Sequence, residues 1–410
     1  MIDRRDLLRL AASLPALGAP GGKKTIALVI TEYRTNAHAD VIGTRLLAGF
    51  EYAGKFAPPR VKAASMFTDQ VPWNDMSREM AKKHGVPLFD TVRDAVTLGS
   101  GKLAVDGVVI VGEHGNYPYN EKLQHLYPRY ELMSQVMDVF RQSGRSVPVF
   151  CDKHLSVDWW KAKQMYDWSR ELKFPFLVGS SIPVTWRRPQ LELPMGANLK
   201  RAVSAAYGGT EAYGFHALEG LQCMAERRRG GETGVRAVQS IEGPEVWKWT
   251  DANPWSIPLL DAACARSEAR KAGNMRDNCK SPALFVVEYR DGFLGAVYML
   301  NGHINDFNFA GEIEGRAEPA STLFWLQPER FYGHFSGLAH YIEELVLNGR
   351  EPYPPERTLL TTGVLAAAME SAWSGHTRIE TPQLDVRYKA VAASLYNRGP
   401  VPAPEKKGSA

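Results

Sequence analysis

Val147-Pro148-Val149-Phe150-Cys151-Asp152-Lys153-His154-Leu155-Ser156 opens as an apolar, β-branched run and stops in three consecutive ionisable residues. A helix-like segment, 157–172, follows it. The pattern reads as a buried strand whose C-terminal end delivers Asp152, Lys153 and His154 to a loop ahead of a helix. In an open α/β sheet, ligands gather at that place because strand ends and helix N-termini converge there. Three ionisable residues beside Val-Phe-Cys are costly to bury unless they are paired or used.

Upstream of this stretch the same alternation repeats. Aliphatic runs predict strands at 25–30, 61–67, 85–89 and 105–111, and a last one at 175–179. Helices are expected at 37–56, 77–83, 90–99 and 131–144. Strands alternating with helices of this length mean parallel β-α-β units with both sheet faces covered. Residues 23–180 are therefore expected to form an α/β, Rossmann-like, doubly wound parallel sheet. Parallel strands share a direction, so Glu32, Asp69, Glu113, His114, Asp152, Lys153 and His154 are expected along one rim.

Downstream the character changes. Helices are expected at 199–207 and 213–226, long strands at 235–249, 283–290, 293–301 and 305–313, and helices at 333–347 and 355–374. Arg290-Asp291-Gly292-Phe293 marks a hairpin. Residues 181–398 thus predict an α+β domain with a largely antiparallel open sheet and helices on one face, its last helices free to pack back on the first domain. His216 and Glu219, three apart, share a helical face. The segment 180–189 reads as a hinge, and its Arg187 and Arg188 are candidates for holding a substrate. Arg227-Arg228-Arg229-Gly230-Gly231 lacks the strand and Gly-Lys-Ser/Thr of a phosphate loop and reads as a flexible cleft loop.

The totals set bounds. A chain of 410 residues is too long for one ordinary core. Its 44% apolar and 23% charged content is that of a soluble protein, and a net charge of +4 argues against nucleic acid. No segment is apolar for long enough to span a membrane. In residues 1–22, Arg4-Arg5 stands before a short apolar run, Leu7 to Ala19, as in a twin-arginine export signal, which predicts a periplasmic or otherwise exported protein. The tail 399–410 is expected to be disordered. Cys151 and Cys223 read as core residues, and Cys264 and Cys279 could pair if the chain is exported.

The order of these pieces resembles the glucose–fructose oxidoreductase, inositol dehydrogenase and MocA-like family. Asp152-Lys153-His154 lies where that family carries Glu-Lys-Pro, with 147–150 as the strand before it. Residues 105–110 look like the strand leading to the family's nicotinamide loop, and His216-Ala217-Leu218-Glu219 looks like its His-x-x-Asp motif. Residues 343–352 resemble its late helix and exit. The resemblance implies NAD or NADP held tightly along Glu32, Asp69, Glu113, His114, Asp152 and Lys153. It implies a sugar-like substrate in the cleft, with His154, Arg187 and Arg188 nearby, and catalysis by Lys153, His216 and Glu219. It also implies a homo-oligomer built through the C-terminal sheet. The chemistry is coherent: imidazole takes the hydroxyl proton near neutrality, and an ammonium stabilises the developing alkoxide.

Three positions depart from the family pattern. Thr31-Glu32-Tyr33-Arg34-Thr35-Asn36 stands in place of the glycine fingerprint, and side chains there hold a pyrophosphate off the helix N-terminus. Ala212 replaces the acid four residues before the histidine, with Glu211 adjacent. His154 replaces the proline. A second reading therefore stays open: a dinucleotide-free relative, either a hydrolase or lyase using a divalent metal at the rim's carboxylates and imidazoles, or a carbohydrate-binding protein stacking sugars on Trp159, Trp160, Trp186, Trp247, Trp249 and Trp255.

Overall fold

A computed structural model describes residues 22–329 and 332–401. The export segment falls outside the described residues, as does most of the expected tail.

The first sheet carries β1 (Thr25–Glu32), β4 (Lys62–Gln70), β5 (Leu88–Phe89), β6 (Gly107–Val111), β7 (Val149–Asp152) and β8 (Phe176–Gly179). The strands between β1 and β4 are a small separate hairpin, β2 (Phe50–Tyr52) and β3 (Lys55–Ala57). The sheet order is β5-β4-β1-β6-β7-β8, and every pairing is parallel. Ile26 to Ile30 and Val108 to Val111 are wholly buried. A strand covered on both faces needs an unbroken apolar run, and these strands have one. On one face lie α3 (Val92–Thr97), α4 (Arg129–Ser143) and α5 (Trp159–Glu171), whose Leu132, Val136 and Ala162 pack on Ala27, Val29 and Ile110. On the other lie α1 (Thr44–Ala48), entered through a π-helical turn Ala39–Gly43, and α2 (Ser77–His84).

The helix expected over 37–56 stops at Ala48. Gly49 takes φ 92° there, and a Cβ would come within 2.4 Å of the Ala57 carbonyl oxygen. Only glycine tolerates both, so the chain turns into the β2–β3 hairpin.

The second sheet comprises β9 (Trp186–Arg188), β10 (Leu199–Ala206), β11 (Val235–Glu242), β12 (Ala283–Tyr289), β13 (Leu294–Met299), β14 (Phe307–Ile313), β15 (Ala320–Trp325) and β16 (Ile379–Glu380). Its order is β16-β11-β12-β13-β10-β14-β15-β9, antiparallel except between β10 and β13. The remaining helices are α6 (Ala212–Ala225), α7 (Pro244–Ala252), α8 (Ser256–Cys264), α9 (Met275–Asn278), α10 (His334–Asn348) and α11 (Glu356–Trp373).

Two elements differ from expectation. The segment 199–207 is the strand β10, not a helix. Both of its faces are covered, so Ala202, Val203, Ala205 and Ala206 are all fully buried and no polar alternation marks it. The strand expected over 235–249 ends at Glu242, because Gly243 turns with φ 62° and Pro244 starts α7.

The sheet is also covered on both faces rather than one. Val246, Leu259, Leu260 and Ala263, from α7 and α8, pack on Val203, Ala205, Leu284, Val286 and Tyr298. The surface through which the family resemblance implies oligomer formation is therefore occupied by this chain's own helices. Cys264 and Cys279 lie in that same layer as free thiols, so the suggested disulfide is not formed.

The arginine run after α6 is an internal staple, not a cleft loop. The Arg228 guanidinium pairs with Glu232 at 3.0 Å and Asp291 at 2.8 Å, and Arg227 donates to the carbonyls of Val391 and Ala392 at 2.9 Å each. Gly399, where the tail was expected to begin, accepts a hydrogen bond from Trp186 Nε1 at 2.8 Å. Among the described residues no helix is long and apolar enough to cross a membrane.

The C-terminal α10 returns to the first domain. Its Leu338, Ile342, Leu345 and Val346 pack beneath β1 and β6, close enough that a Cβ on Gly107 would sit 2.8 Å from Val346 Cγ2. Leu345→Ala is expected to cost ~2–5 kcal/mol of stability. Urea denaturation followed by circular dichroism measures it. A loss below about 1 kcal/mol would show that α10 is only loosely docked.

Candidate functional site

The C-terminal ends of β1, β6 and β7 meet α6, α10 and the loop before β14 across a cleft of about 710 Å³. His38, Glu113, His114 and Lys153 line it from the first domain, and Tyr213 and His216 from the second. His114 and Lys153 follow consecutive strands, and both adopt left-handed backbone, φ 70° and 69°. Neither is a glycine or asparagine. That conformation persists only where the surroundings enforce it, and it clusters at ligand sites.

Lys153 is the hub. Its Nζ donates to His216 Nε2 at 2.7 Å and lies 3.5 Å from Glu113 Oε1. The other Glu113 oxygen takes a hydrogen bond from Arg129 of α4. His216 Nδ1 lies 2.6 Å from Ser180 Oγ, which also accepts the Ile182 backbone N–H at 3.0 Å. Since Nε2 accepts from an ammonium, the network assigns the proton to Nδ1, which donates to Ser180.

Electrostatics follow from this packing. Burial opposes ionisation of Glu113, but Lys153 and Arg129 outweigh it and hold the carboxyl well below its usual range. Burial first, and then Lys153, keep His216 neutral with its pKa well below the ordinary imidazole value. Burial and the neighbouring His38 lower His114 to about 4, and burial with Arg45 lowers His334 to about 3. His114 Nδ1 accepts the His38 backbone N–H at 3.3 Å, as an unprotonated nitrogen must.

The structure brings Lys153, His216, Glu113, His114 and Asp152 together and leaves the other suggested residues apart. Glu219 is fully buried between α6 and α11, where Thr358 and Thr361 donate to its Oε1 at 3.1 and 2.6 Å. It does not line the cleft, because α6 is buried nearly all round and α11 packs over the turn that carries Glu219. Arg187 is likewise buried, donating to Leu191 O at 2.8 Å and resting on Tyr396. Arg188 alternates to the other side of β9. It pairs with Glu268 and stacks on Trp325, touching cleft-lining residues without entering the cleft. His154 is enclosed beside Glu211 at 3.2 Å and Arg129 at 3.4 Å. Glu32 pairs with Arg34, and Asp69 accepts Tyr117 Oη–H at 2.6 Å. None of the six tryptophans considered for sugar stacking lines the cleft, whereas Trp325 does. Ser180, Arg129 and His334 were not foreseen. Only Ser180, at the exit of a predicted strand, carried a positional signal.

No family model and no curated protein matches the sequence. Solved structures do match the fold. GenD2 from gentamicin A biosynthesis, in complex with NAD, shares 14% identity over 90% of this chain and 99% of its own, with a TM-score of 0.54. Scyllo-inositol dehydrogenase from Lactobacillus casei, with NAD(H) and scyllo-inositol, shares 12% over 88% and 99%, also at 0.54. Myo-inositol 2-dehydrogenase from Lactobacillus plantarum gives the same four values. At this identity the likeness is one of fold: a six-stranded parallel sheet joined to a mostly antiparallel eight-stranded one.

A dinucleotide in the usual Rossmann pose does not fit the residues present. In that pose the pyrophosphate rests on the first helix N-terminus, and an acid after the second strand holds the adenosine ribose. Here Asp40 places its carboxylate at that N-terminus, accepting from Asn36 N at 3.0 Å and Thr44 Oγ1 at 2.9 Å. The insertion after β6 lies on the end of β4, where Asn116 N donates to Gln70 Oε1 at 2.7 Å and Tyr117 occupies Asp69. The alternative of a bound metal lacks support too: among the described residues no three His, Cys, Asp or Glu side chains are grouped to hold one.

The depressed imidazoles make a pH prediction. Between about pH 6.5 and their folded values, the unfolded chain takes up protons that His114, His216 and His334 refuse. Stability is therefore expected to fall as pH drops below about 6.5, each pH unit of depression being ~1.4 kcal/mol. Urea titrations at neutral pH and about pH 5 check this, and equal stabilities would contradict the assignment of neutral buried imidazoles.

Proposed function

We propose that this chain is an enzyme of the sugar and polyol oxidoreductase kind, its own residues handling the proton of a substrate hydroxyl in the interdomain cleft. The observation carrying this reading is the Lys153–His216 contact at 2.7 Å on the cleft wall, between residues 63 apart in sequence. An ammonium stabilises negative charge as it develops on oxygen. Imidazole exchanges protons with that oxygen. Glu113 and Arg129 hold Lys153 in place from behind, and Ser180 fixes the face that His216 presents. Glycerol-like and cyclic polyols suit a cleft whose wall alternates such groups with Tyr213, Phe307 and Trp325.

Oxidation at the carbinol carbon needs a hydride acceptor. NAD is bound in GenD2 and NAD(H) in the L. casei enzyme, which supports NAD here, with NADP as the other form to test. The filled strip over β1 and β4 favours a second reading, a dinucleotide-free relative carrying out redox-neutral hydrolysis or elimination, or binding a carbohydrate, in the same cleft. Export is part of the proposal as well, supported by Arg4-Arg5 ahead of the apolar run. Changing both arginines to lysine and following the chain in periplasmic and cytoplasmic fractions checks it.

Denaturing the purified protein and reading the released small molecules by absorbance and mass spectrometry separates the two readings. NAD or NADP in the supernatant supports the oxidoreductase. Neither released, and neither bound when added in calorimetry, removes it in favour of the redox-neutral form. In a polyol and sugar panel scored by substrate consumption, Lys153→Ala and His216→Ala are each expected to lower turnover ~10²–10⁴-fold with the melting curve retained. Full turnover in either variant would take that residue out of the mechanism.

A further inference from the structure

The cleft holds an imidazole–carboxylate pair whose histidine lies outside the motifs that the family resemblance supplies. His38 stands at the entry to the π-helical turn after β1, and its ring lines the cleft. Its Nδ1 lies 2.6 Å from Asp152 Oδ2, at the end of β7. Asp152 is 1% exposed, so its carboxylate has little water and a fixed direction. A carboxylate can only accept, so Nδ1 carries a proton, and in the neutral ring the lone pair is on Nε2. Among the described residues none bonds that nitrogen. His216 is arranged differently, since its Nε2 already accepts from Lys153 and its Nδ1 is committed to Ser180.

We infer that His38, oriented by Asp152, is a second proton-transfer residue of this cleft. The inference rests on the reading of the cleft as a site of proton exchange on a hydroxylated substrate, and holds for its redox and redox-neutral forms alike. In the step proposed, the substrate O–H bond breaks and an Nε2–H bond forms on His38. The electron pair stays on oxygen, within the field of the Lys153 ammonium. The imidazolium is balanced by the Asp152 carboxylate, and the reverse step returns the proton. Asp152 is a positioning residue here, fixing the tautomer and supplying the countercharge.

The groups around His38 come from every element packed on it. Asp152 and Lys153 follow β7, Glu113 and His114 follow β6, His216 comes from α6, and His334 and Phe335 come from α10. Of these, Lys153 carries positive charge, and Asp152 and Glu113 carry negative. Asp152 is in direct contact, so its removal is the informative change.

The test needs no substrate, and so stands apart from the fate of the oxidoreductase reading. In protein labelled with ¹⁵N-histidine, the full chain is titrated by NMR, with His38→Gln assigning the signal. The expected result is a His38 ring protonated on Nδ1 at neutral pH and carbethoxylated by diethyl pyrocarbonate ahead of His216. Asp152→Asn is expected to release that tautomer, moving the proton from Nδ1 toward Nε2. A His38 ring protonated on Nε2, or one slower to react than His216, would overturn the proposal; both are read in the wild-type chain, whatever Asp152→Asn does to folding. An unchanged tautomer in a folded Asp152→Asn would overturn it as well. On a substrate found in the panel, His38→Gln should lower kcat with KM little changed, and an unchanged kcat would count against it.

Discussion

A carboxylate with a cation on each oxygen underlies the cleft. Glu113 is 7% exposed and sits between Arg129 and Lys153. Two buried cations without it would be untenable, and a buried carboxylate without them would take up a proton. The ion pair fixes where the Lys153 ammonium stands, and that ammonium fixes the neutral tautomer of His216. Strand order supplies the rest: β6 and β7 are neighbours and parallel, so Glu113 and Lys153 leave the sheet side by side. Their shared rim turns a buried charge cluster into a wall of an open cleft.

The parallel half of the fold was legible because its chemistry is repetitive. Ile26 to Ile30, Val108 to Val111 and Val149 to Cys151 are apolar runs that only a doubly covered strand accommodates, and each ends in polar residues at the rim. The second half was harder to read. Ala202 to Ala206 is built of small residues that suit a helix as well as a strand, and what decides is pairing with β13 and β14, nearly a hundred residues on. Gly243 and Gly49 end elements through backbone geometry that a periodicity search does not register. Covering of the outer face by α7 and α8 was invisible for the same reason: it depends on which layer the segment 244–264 joins.

The site was legible where position along a strand determines it, and illegible where partnership across space does. Lys153 and His114 stand at strand exits and were found there. Arg129, Ser180 and the His38–Asp152 contact depend on elements meeting in three dimensions. Glu219 and Arg187 show the converse error. Both sit at motif or hinge positions, yet α6 and β9 turn them into the core, where threonines meet Glu219 and a backbone carbonyl and an aromatic ring meet Arg187. A matching motif gives a residue's neighbours in sequence; only its burial gives the direction of its side chain.

The segment laid across the end of β4 has a consequence for traffic. By bonding Asn116 and Tyr117 to Gln70 and Asp69, it roofs over the trough that an ordinary nucleotide-binding sheet leaves open along its crest. With that end built over, the cleft lies toward the second sheet, where Tyr213, Glu268, Asp306, Phe307 and Trp325 line it. The wall left to it mixes aromatic rings with the carboxylates of Glu268 and Asp306, so a polyhydroxylated molecule finds stacking faces and hydrogen-bond acceptors on one side.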